Sequence, residues 1–381
     1  MPQPAFHFAT ASDIRFGRGE AGRAVPDLAR LGKRVLLVHG ATASRSGWLC
    51  EALTAQGCAV STIAVAAEPD VDLIAYGVSA ARDHDAQAVI AIGGGAVIDA
   101  AKAIAALVPV NRPLHDHLEV VGQGLPLEAT PLPFAALPTT AGTGAEVTRN
   151  AVISVPDAQR KVSLRDARML PRIAVIDPAL TDGCPRAITL ASGLDAITQV
   201  IEPYLCIRAN PMTDALCRPA IDCGLPALMT LMQNEDADAR DVMAWTSLCG
   251  GLALANAGLG VVHGLAGPLG GLSGASHGAI CGALLPHGLT ANAERASGAT
   301  ACRIGHVRQS LAKALSIEPD AAFMALHAWA REAGLPGLDA QGVTCPHRAR
   351  AAAMAASSSS MKANPAPLDE TVLAGIMEQA R

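Results

Sequence analysis

The stretch AVIAIGGGAVIDAAKAIAAL, residues 88–107, decides how this chain folds. It opens on five aliphatic residues, breaks at Gly93, Gly94 and Gly95, and resumes as an Ala-rich run too long for a strand. A short apolar run bounded by glycine reads as a strand buried on both faces, and the Ala-rich continuation reads as a helix. The same alternation extends outward. RVLLVHG (34–40) reads as a strand before a helix through WLCEALTAQG (48–57). VSTIAVA (60–66) reads as another, before a helix through LIAYGVSAARDHDA (73–86). PFAALPTTAGTGAE (133–146) and RIAVIDPAL (172–180) supply further strands. Strands separated by helices require crossover connections, so the expectation is an α/β domain with a parallel sheet over residues 1–185.

From about Arg186 onward β-branched runs disappear and long Ala/Leu-rich segments with helical spacing take over. Residues 186–381 therefore read as an all-α C-terminal domain. AAAMAASSSSMKANPAPLDE (351–370) reads as a helix end and a loop, with a last short helix from about Asp369.

Composition narrows the classes of function. Half of the 381 residues are apolar and only 3% are aromatic, so the core is built from Ala, Leu, Val and Ile. A net charge of −5, with no basic stripe, points away from nucleic acid. The ten cysteines stand singly, with no C-x-x-C pair, as expected of reduced thiols in the cytoplasm rather than of a disulfide framework. MPQPAFHFATASDIRFG, at the N-terminus, lacks a basic segment followed by an apolar one.

One region is unusual. Val242 to Ala293 carries no Asp, Glu, Lys or Arg, yet contains His263, His277 and His287. Its scattered glycines, and the lack of flanking Lys/Arg clusters and aromatic belts, argue against a membrane span. The histidines read either as hydrogen-bonded core residues or as metal ligands in a dry pocket. In SGLDAITQVIEPY (192–204), Asp195 and Gln199 share one helix face. A carboxylate in so apolar a helix is costly to bury unpaired. Asp195 with His263 and His277 would suit a divalent metal with an open position, or else form a plain Asp–His hydrogen bond.

The three glycines also have two readings. They form a tight strand-to-helix turn, or they let a phosphate approach the free N–H groups of the first helical turn. Thr139, Thr140 and Thr143 in PTTAGTGAE (138–146) offer hydroxyls that favour the second. Asp99 could cap the local helix or bind a ribose or amide.

The segments GGGAVIDAAKA, LPTTAGTGAEVT, RIAVIDPALT, GLDAITQVIEPY, ANPMTDAL, HGLAGPLGG and HGAICGALLPH occur in this order over nearly the whole chain. In that order and spacing the chain resembles the iron-containing (group III) alcohol dehydrogenase family, whose fold is shared with dehydroquinate synthase-like enzymes. The resemblance implies NAD or NADP lying in a cleft between the two domains, facing one divalent metal, iron or zinc. It implies hydride transfer between nicotinamide and an alcohol–carbonyl pair, and it favours a homodimer. Carried over by position, the cofactor residues are Asp70, Gly94, Gly95, Ala96, Asp99, Thr139, Thr140, Thr143, Asn150 and Lys161. The metal ligands are Asp195, Gln199, His263 and His277, with Asp195, His263 and His277 catalytic and His287 structural.

Three positions depart from the family pattern. Ala96 stands where Ser is usual, Gln199 where the fourth ligand is usually His, and Gly267 where a second His commonly assists proton transfer. After the strand RVLLVHG many NAD-specific members of the family place an Asp that repels a 2′-phosphate, whereas this chain has His39 and Gly40 with Ser44 and Arg45 nearby, so both NAD and NADP are expected to be accepted. Two other readings stay open, a metal-free oxo-acid reductase resembling maleylacetate reductases and a lyase resembling dehydroquinate synthase.

Overall fold

The computed structural model describes residues 5–356 and 358–381. Met1–Pro4 of the N-terminal stretch and Ser357 of the expected C-terminal loop lie outside the described residues. The chain divides into two compact units. One comprises residues 10–140 and 144–182, and the other residues 1–9, 141–143 and 183–381.

The first unit is built on a six-stranded parallel sheet. Its strands are β1 (Asp13–Phe16), β2 (Arg34–Gly40), β3 (Ala59–Val65), β4 (Ala88–Gly93), β5 (Phe134–Pro138) and β8 (Ile173–Ile176). They lie in the order β1-β8-β5-β4-β2-β3. The central strands are built mostly of aliphatic residues on both faces, because the pleat sends alternate side chains to opposite, equally dry sides of the sheet. Val35, Leu37, Ile90 and Ile92 enter one core with α1 (Glu20–Ala29) and α2 (Gly47–Ala55). Leu36, Val38, Val89 and Ala91 enter the other with α3 (Val71–Asp83) and α4 (Gly95–Leu107). The chain runs from β2 out to β3, then returns to the other side of β2 as β4, so the strand order reverses between β2 and β4.

The sequence reading missed the edge strand β1 and an antiparallel hairpin, β6 (Asn150–Val155) with β7 (Arg160–Arg165), which forms its own sheet. Its alternating burial is that of a half-exposed ribbon, unlike the continuous apolar runs sought for a parallel sheet. A short helix, α5 (Leu114–His117), precedes β5.

The second unit is largely helical, as expected: α6 (Arg186–Leu205), α7 (Pro211–Leu231), α8 (Ala237–Asn256), α9 (Val261–Ser273), α10 (His277–Ala293), α11 (Gly298–Leu315), α12 (Ala322–Glu332), α13 (Cys345–Ala355) and α14 (Glu370–Gln379). Helix α6 is buried along most of its length, which is why the segment is apolar on nearly every face. The Asp369 side chain caps α14 by accepting from Val372 N. Among the described residues no single helix is long and apolar enough to cross a membrane.

Candidate functional site

Helix α6 carries Asp195, Gln199 and Glu202 at i, i+4 and i+7, one polar stripe on a buried helix. All three are at most 6% exposed. Gln199 and Glu202 meet hydrogen-bond partners from other segments, and Asp195 faces two imidazoles. Glu202 accepts a hydrogen bond from Val262 N at 2.7 Å. Its other oxygen lies 2.7 Å from His263 Nδ1. Val262 and His263 form the first turn of α9, whose N-cap, Gly260, has no side chain. A carboxylate from α6 thus caps α9, where the helix dipole favours negative charge. The same carboxylate sets the His263 ring, leaving Nε2 directed at Asp195.

His277 opens α10 and Cys281 follows one turn later. His263 Nε2 lies 3.4 Å from Asp195 Oδ1, and His277 Nε2 lies 3.9 Å from the same oxygen. Cys281 Sγ lies 3.9 Å from His263 Nε2 and 3.7 Å from His277 Nε2. The four donor atoms all fall within 4.8 Å of one another. Asp195 Oδ1 is buried with no hydrogen-bond partner.

Helix packing brings these groups together. A Cβ on Gly278 would stand 2.5 Å from the Ala191 carbonyl oxygen, and one on Gly282 would stand 2.7 Å from Leu194 Cδ1. The two glycines, one turn apart, therefore let α10 settle directly on α6. Gly278→Ala is expected to separate the helices, because a backbone oxygen cannot swing aside as a side-chain terminus can, and if the cluster holds a divalent cation it should weaken that binding at least about tenfold. Isothermal titration with Zn²⁺ checks this, and unchanged affinity would refute it.

Electrostatics follow the geometry. Burial alone would lower the His263 pKa, but Cys281, Asp195 and Glu202 outweigh it and hold the ring well above its ordinary value. Burial opposes His277 likewise, yet Cys281 and Asp195 push it up to about 9. Burial would raise Asp195, but His277 and His263 hold its carboxyl below the usual range. His287 stands apart, its Nε2 3.2 Å from His327 Nδ1. Burial and then His327 push it down to about 4.

The other assigned residues divide between the two units. Gln199 donates through Nε2 to the Gly142 carbonyl at 2.9 Å. A Cβ at Gly267 would meet nothing within 4 Å, so that position is open. In the sheet unit, Gly94, Gly95 and Ala96 start α4 immediately after β4. Thr139 and Thr140 follow β5 on the neighbouring strand, and Thr139 N donates to Gly93 O. Thr143 belongs to the helical unit. A Cβ on Gly93 would meet Val97 at 2.5 Å, and α4 has no side-chain N-cap. Both the tight-turn and the anion-cradle requirements are thus met at one place, at the carboxyl end of the sheet and beside its reversal point.

Asp99 accepts from Val152 N at 3.1 Å, tying α4 to the hairpin. Asp70 caps α3 by accepting from Leu73 N at 2.8 Å, and its backbone bridges to Ser154, opposite Lys161 on the hairpin. Lys161 forms an ion pair with Glu68. The Asn150 carbonyl accepts from Lys102 Nζ.

Sequence reasoning passed over Cys281, Glu202, Lys102 and Glu146. His277 and Cys281 four residues apart on a helix, and Asp195 and Glu202 seven apart, were the available signals. Lys102 is 1% exposed and Nζ donates to Ala145 O, Thr148 Oγ1 and Asn150 O at 2.7, 3.0 and 2.8 Å. It fastens the 145–150 segment to α4.

Two family descriptions match the chain: iron-containing alcohol dehydrogenase over residues 11–178, and the Fe-containing alcohol dehydrogenase C-terminal region over residues 189–381. The chain belongs to the iron-containing alcohol dehydrogenase family. It is an oxidoreductase acting on the alcohol–carbonyl pair. Among its relatives, lactaldehyde reductase of Escherichia coli K12 is 34% identical over 328 residues, covering 84% of this chain and 85% of that protein. Alcohol dehydrogenase 4 of Saccharomyces cerevisiae is 34% identical, covering 70% and 69%. A solved 1,3-propanediol oxidoreductase superposes with a TM-score of 0.88 at 28% identity, covering 99% of this chain and 100% of that one. Sulfoacetaldehyde reductase from Bifidobacterium kashiwanohense, solved with NAD⁺, has a TM-score of 0.84 at 25% identity, covering 99% of each chain.

Glu202→Ala is expected to lower the affinity of this dehydrogenase for Zn²⁺ by about 10–100-fold, because the His263 ring loses its anchor. It should also cost about 1–2 kcal/mol in the metal-free protein through loss of the α9 cap. Thermal melts with and without metal separate the two effects, and an unchanged melt with unchanged affinity would refute both.

Proposed function

We propose that this dehydrogenase is metal-dependent and reduces an aliphatic aldehyde, or oxidises the matching alcohol, with either NAD or NADP. The supporting observation is the orphaned Asp195 Oδ1 in a cluster with two imidazoles. One anionic oxygen and two nitrogens suit a divalent cation, and a buried carboxylate oxygen without a partner is what such an ion satisfies. By this reading Asp195, His263 and His277 are the principal ligands, with Gln199 the family's fourth position. A divalent metal held there supplies Lewis acidity towards the substrate oxygen, while the nicotinamide gives or takes the hydride.

The chain's own residues have narrower tasks. Glu202 fixes the His263 ring so that Nε2 and not Nδ1 faces the cluster. Gly94, Gly95 and Ala96, with Thr139, Thr140 and Thr143, are assigned to the cofactor phosphates. Ala96 offers only its backbone N–H there, where a Ser would add a hydroxyl. Asp70, Asp99, Asn150 and Lys161 are assigned to the rest of the cofactor. Asp70 and Asp99 are already held by backbone N–H groups, so they would present a preset edge to it. The charge-free segments of α9 and α10 keep water away from the reacting carbon.

The names of the relatives support an aliphatic substrate. They include 4-hydroxybutyrate dehydrogenase from Cupriavidus necator and long-chain-alcohol dehydrogenase 1 from Geobacillus thermodenitrificans, as well as lactaldehyde reductase. Acceptance of both cofactors is supported by residues 40–50, which include Arg45 and no Asp or Glu.

Elemental analysis of untagged, anaerobically purified protein tests the metal. About one equivalent per chain supports the reading, whereas less than about a tenth, unchanged after adding metal back, would sink it. For the cofactor, kcat/KM values for NADH and NADPH should lie within about a thousandfold, or roughly 4 kcal/mol.

A further inference from the structure

The fourth donor is where this chain departs most from its family. Position 199 carries an amide whose Nε2 donates to the Gly142 carbonyl at 2.9 Å, which leaves only the neutral Oε1, a weaker donor than imidazole or thiolate to a borderline metal. One turn after His277, the same helix presents Cys281 to the cluster, fully buried. A buried cysteine is ordinarily a small apolar residue of the core. Here, however, the sulfur faces two imidazole nitrogens, at 3.7 and 3.9 Å. It completes a group of four donors that also contains the unpartnered Asp195 Oδ1.

The separations can be compared with those of a tetrahedral site. Bonds of about 2.0–2.1 Å to nitrogen or oxygen and about 2.3 Å to sulfur place N and O roughly 3.3 Å apart, and N and S roughly 3.6 Å apart. The corresponding distances are 3.4 Å for His263 Nε2 to Asp195 Oδ1 and 3.7 Å for His277 Nε2 to Cys281 Sγ. His277 Nε2 to Asp195 Oδ1 and His263 Nε2 to Cys281 Sγ are both 3.9 Å, roughly 0.6 and 0.3 Å wider than that geometry.

We propose that the Cys281 thiolate is the fourth protein ligand of the metal centre, with the substrate oxygen then entering as a fifth, and that the Asp195–His263–His277–Cys281 set favours zinc over iron. This rests on the metal-dependent reading above. Gln199 then positions the 141–143 segment through its amide instead of ligating. The thiol gives its proton to solvent as the metal binds, and the soft sulfur favours zinc over a harder Fe²⁺ competitor.

The test is Co²⁺ titration of chelator-stripped, reduced protein, read by absorbance and by bound cobalt. Expected are one bound equivalent and a near-ultraviolet sulfur-to-cobalt charge-transfer band. Cys281→Ser should abolish that band while cobalt still binds. Gln199→Ala should keep it. Cys281→Ser should also weaken Zn²⁺ binding at least about tenfold, and Fe²⁺ binding less. Cys281→Ala, which removes any oxygen donor, must behave alike in the absorbance reading. One equivalent of cobalt without the band, or a band that survives both cysteine substitutions, overturns thiolate ligation while leaving the metal reading intact. Failure to bind cobalt or zinc at all overturns both.

Discussion

Asp195→Ala is expected to lower kcat/KM by at least about a thousandfold, which corresponds to roughly 4 kcal/mol of transition-state stabilisation. The Asp195 oxygen is central to the cluster, lying 3.4 Å from one imidazole and 3.9 Å from the other. It is also the anionic member of the three-ligand set, and it is fully buried, so no solvent competes for it. Without it, the two imidazoles and the proposed Cys281 ligand must hold the cation with one anionic donor fewer. Bound metal should fall in parallel with activity. Thermal stability provides an independent reading. In the wild type, metal at about a hundredfold excess over its dissociation constant should add about 2.7 kcal/mol, a gain that Asp195→Ala should lack. The metal-free variant should be less stable than the metal-free wild type, because the buried His263 and His277 lose the carboxylate that balances their charge. Activity within tenfold of the wild type would refute the role given to Asp195.

Lys102→Met should destabilise the sheet-bearing unit by about 3 kcal/mol, lowering its Tm by roughly 5–10 °C. Methionine fits the space but removes the ammonium that donates to the carbonyls of Ala145 and Asn150 and to Thr148 Oγ1, and leaves Glu146 without its nearby cation. The pair also makes stability depend on pH. Burial, opposed by the Glu146 backbone and by Lys102, lifts the Glu146 carboxyl from 4.5 to about 7. A carboxyl raised in the folded state contributes stability below 4.5 that is lost as pH climbs to about 7. Burial, opposed by Asp99 and Glu146, drops Lys102 from 10.5 to about 8. Its share of stability is therefore regained as pH rises from about 8 to 10.5. Glu146→Gln should remove the acid-side slope, leaving the variant more stable than wild type at pH 8 relative to pH 4. Calorimetric scans at both pH values check this, and parallel wild-type and variant curves would refute it.

Much of the fold was legible in the chain because its information there is local. The continuous aliphatic runs of β2 and β4 have one physical explanation, burial on both faces of a parallel sheet. Once the neighbouring helices are recognised, crossover geometry follows. The hairpin escaped this logic. Its strands alternate in exposure and are held to α4 by Asp99 and Lys102, two polar residues inside a segment that reads as a plain amphipathic helix. The site divides in the same way. Asp195, His263 and His277 could be picked out because charge and imidazole are costly in an apolar run, so their presence asks for an explanation. Cys281 raises no such question, since a cysteine in an apolar helix looks like any other small core residue. Glu202 looks like the polar end of its helix until α9 is seen to lack a cap of its own.

The sequence by itself therefore determined the class of fold, through local composition and spacing, and the family, through motifs in order over nearly the whole chain. It also singled out Asp195, His263 and His277 as residues that needed an explanation. Only the tertiary structure decided that the Glu202 carboxylate sets the His263 ring, that Gln199 is occupied with Gly142, and that Cys281 faces the imidazoles. The last of these depends on how closely α10 can approach α6 over Gly278 and Gly282. That distance is set by backbone meeting backbone between segments about 90 residues apart, a separation across which local spacing carries no information.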